Sequence, residues 1–157
     1  MTRTFISKDA PLVLASASPR RKQLLRQIGI PFRTIASRVH EDPLSRDPLT
    51  NARLLAEAKA HAVAASCEAS WVLGADTMVV LGRAVLEKPA DRDEAFSMIR
   101  QLSGKEHRVI TGFCLVAPGS KRQYSEAVVT RVTFKALTKK EILGFIASGE
   151  PFGKAGS

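Results

Sequence analysis

Short apolar runs alternate with longer amphipathic stretches along this chain. Residues 12–16 read Leu-Val-Leu-Ala-Ser, a run that is typical of a buried strand. A helix is expected directly after it, because Ser18 is a favourable N-cap, Pro19 suits the first helical position and Gly29 suits a helix C-terminus. The N-terminal region is therefore predicted to run from strand through a tight turn into a helix.

A long alanine-rich helix is the clearest element that the pattern predicts. Residues 32–35 have weak strand character before it, and residues 37–47 are polar and predict a loop. Asp47 and Pro48 then repeat the signal of a cap followed by proline. Apolar residues recur from there at helical spacing to about residue 66.

Two apolar runs in the middle of the chain, residues 71–75 and 78–81, predict one interrupted strand or two strands. Gly74 and the polar pair Asp76 and Thr77 interrupt the apolar pattern. A bend is expected at this interruption, and such a bend would expose Asp76.

The remaining pattern predicts further strands and two capped helices, so the chain is expected to be an α/β protein with a sheet and flanking helices. These elements are a strand at 84–86, a helix opened by Asp91 and Glu94 and ended by Ser103 and Gly104, neighbouring strands at 108–117 and 127–137 joined by a turn at 118–121, and a last helix opened by Thr138 and Glu141.

Composition narrows the class of protein. The chain has 157 residues, 45% apolar and 25% charged, which suits a folded domain or two small lobes that share a core. Cys67 and Cys114 lie among apolar or small residues without neighbouring metal ligands, so neither a zinc site nor a disulfide framework is indicated, and a cytoplasmic setting is expected. Every apolar run is shorter than the roughly 20 residues that span a bilayer, so no membrane partner is expected.

The positive charge lies mainly near the N-terminus. The formal net charge is +9, and residues 1–35 contain seven basic residues against one acidic residue. Such a charge is compatible with a nucleic-acid partner, a polyanionic small molecule or solubility alone. The aromatic residues are not interleaved with the basic ones as a base-stacking surface requires, which weakens the case for nucleic acid.

Arg20 and Arg21 fall in the first turn of the first predicted helix. A helix N-terminus carries unsatisfied N–H groups and a partial positive charge, so two cations there are unfavourable in a purely structural helix. An anion bound between the two arginines would compensate for this. A solvated basic helix face is the alternative, and the segment alone does not decide between them.

Several other polar residues are candidates for chemistry. Asp76, between apolar runs, is a candidate general base or ligand, with a turn cap as the alternative. Glu41 in the predicted loop would complete a divalent-cation site of oxygen ligands with Asp76. Lys59 and Lys88 stand in or near apolar surroundings, although either would also suit the surface. His107 precedes a predicted strand and is a candidate catalytic residue. A histidine in such a position is more commonly a hydrogen-bonded structural residue.

Six motifs follow one another along the chain: LASASPRRKQLL (14–25), LAEAKA (55–60), GADTMVVL (74–81), LEKP (86–89), LSGKEHRVITG (102–112) and SGEPFGKAG (148–156). In this order and spacing they resemble the Maf family of nucleoside triphosphate pyrophosphatases, in particular its branch that acts on dTTP and UTP. The resemblance covers nearly the whole chain.

The resemblance implies hydrolysis between the α and β phosphates of a nucleoside triphosphate, with Mg²⁺ or Mn²⁺ as cofactor. It also implies a mixed, twisted sheet in two lobes around a cleft, similar to inosine triphosphate pyrophosphatases. By matching positions, Asp76 would accept the proton of the attacking water and hold the metal with Glu41. The substrate would be bound by Ser18, Arg20, Arg21, Lys59, Thr77 and Lys88, of which Arg20 and Thr77 would contribute to nucleotide choice.

The chain departs from the family pattern near residue 156. Family members continue with a Tyr-Gly-Ile-Gln-Gly-like stretch, a strand and a helix, about 30–40 residues in all. Gly153 also stands where Asp is usual. A single domain over residues 1–157 without these elements would have impaired base selectivity and stability, and an exposed sheet edge would favour a homodimer.

Two other functions remain open on the sequence. A truncated, catalytically impaired member would act as a nucleotide-binding or cell-division regulatory protein. A basic RNA-binding module would bind RNA with a steep salt dependence and would hydrolyse no nucleotide.

Overall fold

The computed structural model describes residues 5–119 and 122–156, and this part of the chain forms six strands and four helices. Residues 1–4, 120, 121 and 157 lie outside it, and with them half of the predicted turn at 118–121. The elements are β1 (Leu12–Leu14), α1 (Pro19–Gln27), β2 (Phe32–Thr34), α2 (Pro48–Ala64), β3 (Val72–Leu81), β4 (Ala84–Leu86), α3 (Arg92–Leu102), β5 (Glu106–Val116), β6 (Gln123–Thr133) and α4 (Lys139–Ala147).

The strands form one mixed sheet in the order β2-β1-β3-β5-β6, with β4 paired to β3. β1 is parallel to both β2 and β3, whereas β3 and β4 are antiparallel. Parallel neighbours need a crossover connection. Helix α1 supplies it between β1 and β2, and α2 precedes β3. The expected mixed sheet with helices is therefore confirmed.

The described residues divide into two compact units. The first runs as far as Asp76 and resumes over Gly112–Ala127, and the second comprises Thr77–Thr111 and the residues from Val128 onward. This division agrees with the two expected lobes. The cleft and the single-domain boundary stay predictions.

In the first unit, β1 is buried on both faces. Val13 and Ala15 pack in one cluster with alanines and Val63 of α2. Leu12 and Leu14 pack in another cluster with Leu25 of α1. Because successive side chains of a strand point to opposite faces, the two helices cover opposite sides of the sheet here.

Helix α2 lies unusually close to the sheet because two strand residues opposite it are glycines. A Cβ atom added at Gly74 of β3 would lie 2.3 Å from the carbonyl oxygen of Ala56. One added at Gly112 of β5 would lie 2.2 Å from the carbonyl oxygen of Ala52. Both distances are far below contact between real atoms, so only glycine allows this spacing.

The second unit has two apolar clusters. Ala95 and Ile99 of α3 pack against Ile142 and Ile146 of α4. Val79, Leu86 and Leu102 form the other cluster, with Val109, Phe134 and Ala155 at its border. No helix in residues 5–119 and 122–156 is long and apolar enough to cross a membrane.

Three helix starts confirm the predicted caps. The side chains of Asp47, Asp91 and Thr138 each accept a hydrogen bond from a backbone N–H in the first turn of α2, α3 and α4. Thr138 and Glu141 complete a reciprocal capping box. These helix starts are determined by hydrogen bonds between residues close together in the sequence, so they could be predicted from it.

The predicted interruption near Asp76 is wrong. β3 is one continuous strand of ten residues, and Asp76 is buried within it instead of being exposed at a bend. β6 also begins and ends four residues before the predicted strand at 127–137. Pairing with neighbouring strands decides both differences, because it keeps β3 continuous through Asp76 and moves both ends of β6 to earlier residues.

Candidate active site

A buried lysine between two carboxylates forms the centre of the candidate site. The Nζ atom of Lys59 lies 2.6 Å from Oδ1 of Asp76 and 2.7 Å from Oε1 of Glu41. Lys59 is 6% exposed and Asp76 7%, whereas the Glu41 side chain is 51% exposed. The ammonium group thus satisfies a buried carboxylate and draws a loop carboxylate to the same point.

The packing of α2 on β3 places these groups together. Lys59 stands between Ala56 and Ala60 on the helix face whose backbone approaches Gly74. Asp76 follows Gly74 by two residues, so it points to the same face of β3. Close approach of helix and strand therefore brings a long basic side chain and a short acidic one into contact inside the first unit.

Arg21 extends the site at the N-terminus of α1. Its Nη1 atom donates a 3.0 Å hydrogen bond to Oγ of Ser16, the buried residue two positions after β1. Burial lowers the pKa of the Arg21 guanidinium. The charges of Asp76 and Glu41 oppose this lowering, and that of Arg20 adds to it. Arg21 therefore lies within electrostatic reach of the lysine-carboxylate cluster.

The first turn of α1 offers further groups to an anion. Ser18 occupies the N-cap position, but its side chain makes no capping hydrogen bond to the described helix. Arg20 is exposed in the same turn, which contains no acidic residue. Uncapped N–H groups, the helix dipole and two arginines together attract a negatively charged ligand.

Glu41 and Asp76 are the carboxylates that suit a divalent cation. Both already converge on a single cationic atom, Nζ of Lys59. Across the described ranges, no group of three or more His, Cys, Asp or Glu side chains is arranged to hold a metal. Mg²⁺ is commonly held by one or two carboxylates together with substrate phosphates, and this pair fits that arrangement.

Thr77, Lys88 and His107 belong to the second unit. The Thr77 hydroxyl lies 3.2 Å from the Thr111 hydroxyl, and Lys88 is exposed after β4. His107 is buried edge-on against Phe134, with ring centroids 4.8 Å apart. Its Nδ1 atom has no hydrogen-bond partner within the part of the chain that the structure describes. His107 is therefore packed as a structural residue, but the hydrogen bond expected of it is not found at Nδ1 among the described residues.

The first unit therefore brings together Glu41, Lys59, Asp76 and Arg21 of the predicted site. The roles assigned to these residues and to Ser18, Arg20, Thr77 and Lys88 stay predictions. Ser16 is a contributor that was not among the predicted site residues. The sequence feature that could have indicated Ser16 is its position, because it is a hydroxyl residue at the end of a buried apolar run, just before the helix that carries Arg20 and Arg21.

Comparisons with known proteins agree on one family. Residues 11–157 match the family described as Maf-like protein. A dTTP/UTP pyrophosphatase of Pelotomaculum thermopropionicum is 48% identical over 147 residues, which are 93% of this chain and 77% of that protein. A dTTP/UTP pyrophosphatase of Paramagnetospirillum magneticum is 50% identical over 149 residues, 94% of this chain and 78% of that protein.

A solved structure supports the fold. The nucleoside-triphosphatase, or dITP/XTP pyrophosphatase, of Mycobacterium abscessus matches with a TM-score of 0.50 at 10% identity, over 89% of this chain and 95% of that one. At this identity the similarity concerns the fold alone, and it confirms the expected likeness to inosine triphosphate pyrophosphatases. Family match, sequence relatives and fold agree with the resemblance read from the motifs, and the chain belongs to the Maf-like protein family.

Proposed function

We propose that this chain is a nucleoside triphosphate pyrophosphatase that acts on dTTP and UTP and releases the monophosphate and pyrophosphate. The observation that carries the proposal is the convergence of Lys59 on Glu41 and Asp76 with Arg21 nearby. A polyphosphate substrate needs clustered cations, and its hydrolysis needs a carboxylate that can accept a proton. The names of the relatives support the choice of nucleotide.

Several cationic groups serve binding in this proposal. Arg20, Arg21 and the N-terminus of α1 bind phosphate oxygens, and Lys88 adds a further cation. Ser18 contributes at the same helix start, and Arg20 and Thr77 contribute to the choice of base. Fixed positive charge offsets the repulsion that a water molecule meets at a negatively charged phosphoryl group.

Asp76 acts as the proton acceptor. Lys59 fixes one oxygen of its carboxylate at 2.6 Å, which leaves the other oxygen to face a water molecule. The water oxygen attacks the α-phosphorus, its proton passes to Asp76, and the electron pair of the broken anhydride bond leaves with pyrophosphate. Held by Glu41 and Asp76, Mg²⁺ or Mn²⁺ would neutralise charge on the phosphate oxygens.

The setting of this activity is part of the proposal. Cys67 and Cys114 are both buried free thiols, which suits the reducing cytoplasm. The substrate is a free nucleotide, so no nucleic acid or membrane is required. The expected homodimer stays a prediction.

A pyrophosphate-release assay tests the function. Purified protein is given dTTP, UTP, CTP and 7-methyl-GTP in turn, with Mg²⁺, with Mn²⁺ and with a chelator. We expect turnover of dTTP and UTP that depends on the divalent cation. A folded sample with no turnover of any of the four nucleotides would contradict the proposal and favour the impaired nucleotide-binding protein.

Asp76→Asn tests the assigned proton acceptor. Asparagine keeps the size of the side chain but is a far weaker base, so kcat should fall by about 10²–10⁴-fold. Asp91→Asn is the matched control, because Asn caps a helix as well as Asp and Asp91 lies at the start of α3. The Asp91 variant should keep wild-type kcat. Equal activity of the Asp76 variant and the wild type would remove Asp76 from the mechanism.

A further inference from the structure

Asn51 is a buried polar residue to which neither the motifs nor the proposed mechanism assigns a role. It lies in the first turns of α2 and is 6% exposed. Its Oδ1 atom accepts two backbone hydrogen bonds, from the N–H of Leu44 at 2.7 Å and from that of Ser45 at 3.1 Å. One buried carbonyl oxygen thus fastens the loop that precedes the helix.

The fastened segment carries Glu41. Leu44 follows Glu41 by three residues, which together reach at most about 10 Å when extended. Asn51 and Lys59 are eight residues apart on α2, which corresponds to about 12 Å along the helix axis. The loop is therefore held at Leu44 by Asn51 and at Glu41 by Lys59, with a short segment between the two contacts.

Further contacts of this loop lie closer to the start of α2. Asp47 caps α2 through the N–H and hydroxyl of Thr50, and its own N–H bonds to Ser45 Oγ. These bonds are exposed and fix the end of the loop nearest the helix. The Asn51 side chain is buried and reaches further back along the loop, towards Glu41.

We propose that Asn51 is a positioning residue that holds Glu41 in place for a divalent cation and so sets the affinity of the site for that cation. The inference rests on the proposed function for the role of Glu41. Asn51 itself touches neither substrate nor metal. It acts through the backbone of Leu44 and Ser45, and residues that orient a ligand in this way commonly change metal affinity by about 10–100-fold.

Three variants separate positioning from simple stability. Asn51→Leu keeps the approximate size and removes the acceptor, whereas Asn51→Asp keeps an acceptor for both N–H groups. Glu41→Gln removes the carboxylate on which Asn51 is proposed to act. Each variant is checked for folding by thermal unfolding before its binding is measured.

Mn²⁺ binding to the protein without nucleotide, followed by electron paramagnetic resonance, is the main measurement. Asn51→Leu should raise the dissociation constant for Mn²⁺ by about tenfold or more, and Asn51→Asp should stay near the wild type. In the Glu41→Gln background, Asn51→Leu should have no further effect, because the two residues act as one unit. Amide exchange at Leu44 and Ser45 should speed up by about tenfold in Asn51→Leu.

Three results would overturn the inference: unchanged Mn²⁺ affinity in Asn51→Leu, an equal effect of that change in the Glu41→Gln background, or no Mn²⁺ binding by the wild type. These results are distinct from failure of the proposed function. A wild-type chain that binds Mn²⁺ through Glu41 and Asn51 but releases no pyrophosphate would refute the activity and keep the positioning role.

Discussion

The ammonium group of Lys59 is the residue-scale feature on which the candidate site depends. It is nearly inaccessible to water and contacts Asp76, which is equally buried, as well as Glu41. Taking charges out of water costs free energy that only their mutual pairing returns. The loss of either buried partner is therefore more damaging than the simultaneous loss of both.

Lys59→Met should destabilise the protein by about 3–5 kcal/mol, because it leaves the Asp76 carboxylate buried without its cation. Urea unfolding measures this change. The double variant Lys59→Met with Asp76→Asn should recover part of the loss, since it removes both charges. Lys135→Met is the matched control, because Lys135 pairs with Glu141 at the surface and surface pairs contribute little. Equal losses in the two lysine variants would contradict the buried pair.

The chemical types of the site residues could be predicted from the sequence, but their contacts could not. Asp76 stood out as a carboxylate between apolar runs, and Arg21 as a cation at the wrong end of a helix. The sequence pattern, however, suggested that Asp76 was exposed at a bend. A local pattern contains no information about Lys59, which is 17 residues away and allows Asp76 to be buried.

At the scale of elements, the spacing between α2 and the sheet positions the cluster. Gly74 removes the side chain that would otherwise separate Ala56 and Ala60 from β3. Lys59 lies between those two alanines, so any outward displacement of the helix lengthens the contact between Lys59 and Asp76. The site thus depends on a residue that has no side chain.

Gly74→Ala should lower both stability and kcat, because the added Cβ would lie 2.3 Å from a backbone oxygen and 2.6 Å from a backbone nitrogen of α2. Overpacking of this kind typically costs about 1–3 kcal/mol. Thermal unfolding and pyrophosphate release are measured on the same samples.

Gly144→Ala supplies the control for this substitution. Gly144 lies inside α4, and a Cβ built there meets nothing within 4 Å among the described residues. Alanine is the better helix former by about 1 kcal/mol, so this variant should be more stable with unchanged kcat. If Gly74→Ala lowers the stability and Gly144→Ala raises it, the loss at Gly74 is due to close packing against α2. If both substitutions change the stability in the same direction, this explanation is contradicted.

Helix starts were more predictable than strand ends for a physical reason. A cap is settled within four residues, as Asp47, Asp91 and Thr138 illustrate. A strand ends where its partner stops offering hydrogen bonds, and that partner is distant in the sequence. The shift of β6 by four residues and the continuity of β3 both have this origin.

At the scale of the whole molecule, a net charge of +9 favours polyanionic ligands without choosing among them. Family membership and the buried cluster favour a nucleoside triphosphate over nucleic acid. Either class of ligand would stabilise the folded protein on binding, and salt weakens the binding of nucleic acid steeply.

A non-hydrolysable dTTP analogue with an imido bridge between the α and β phosphates should raise the melting temperature in the presence of Mg²⁺. At about 100 times the dissociation constant the gain is about 2.7 kcal/mol, or about 5–10 °C for a chain of this size. Differential scanning fluorimetry checks this shift. A single-stranded RNA oligonucleotide of equal phosphate concentration serves as the control, and a larger shift with RNA would favour the RNA-binding alternative.

The paired glycines have a consequence for how α2 finds its place during folding. Gly74 and Gly112 lie on neighbouring strands and together leave a notch in the surface of the sheet, opposite the backbone of Ala56 and Ala52. A helix displaced along the sheet would contact side chains instead of this notch, and its axis would lie further from the sheet. The notch thereby favours one position of the helix on the sheet, and that position places Lys59 beside Asp76 before any ligand is present.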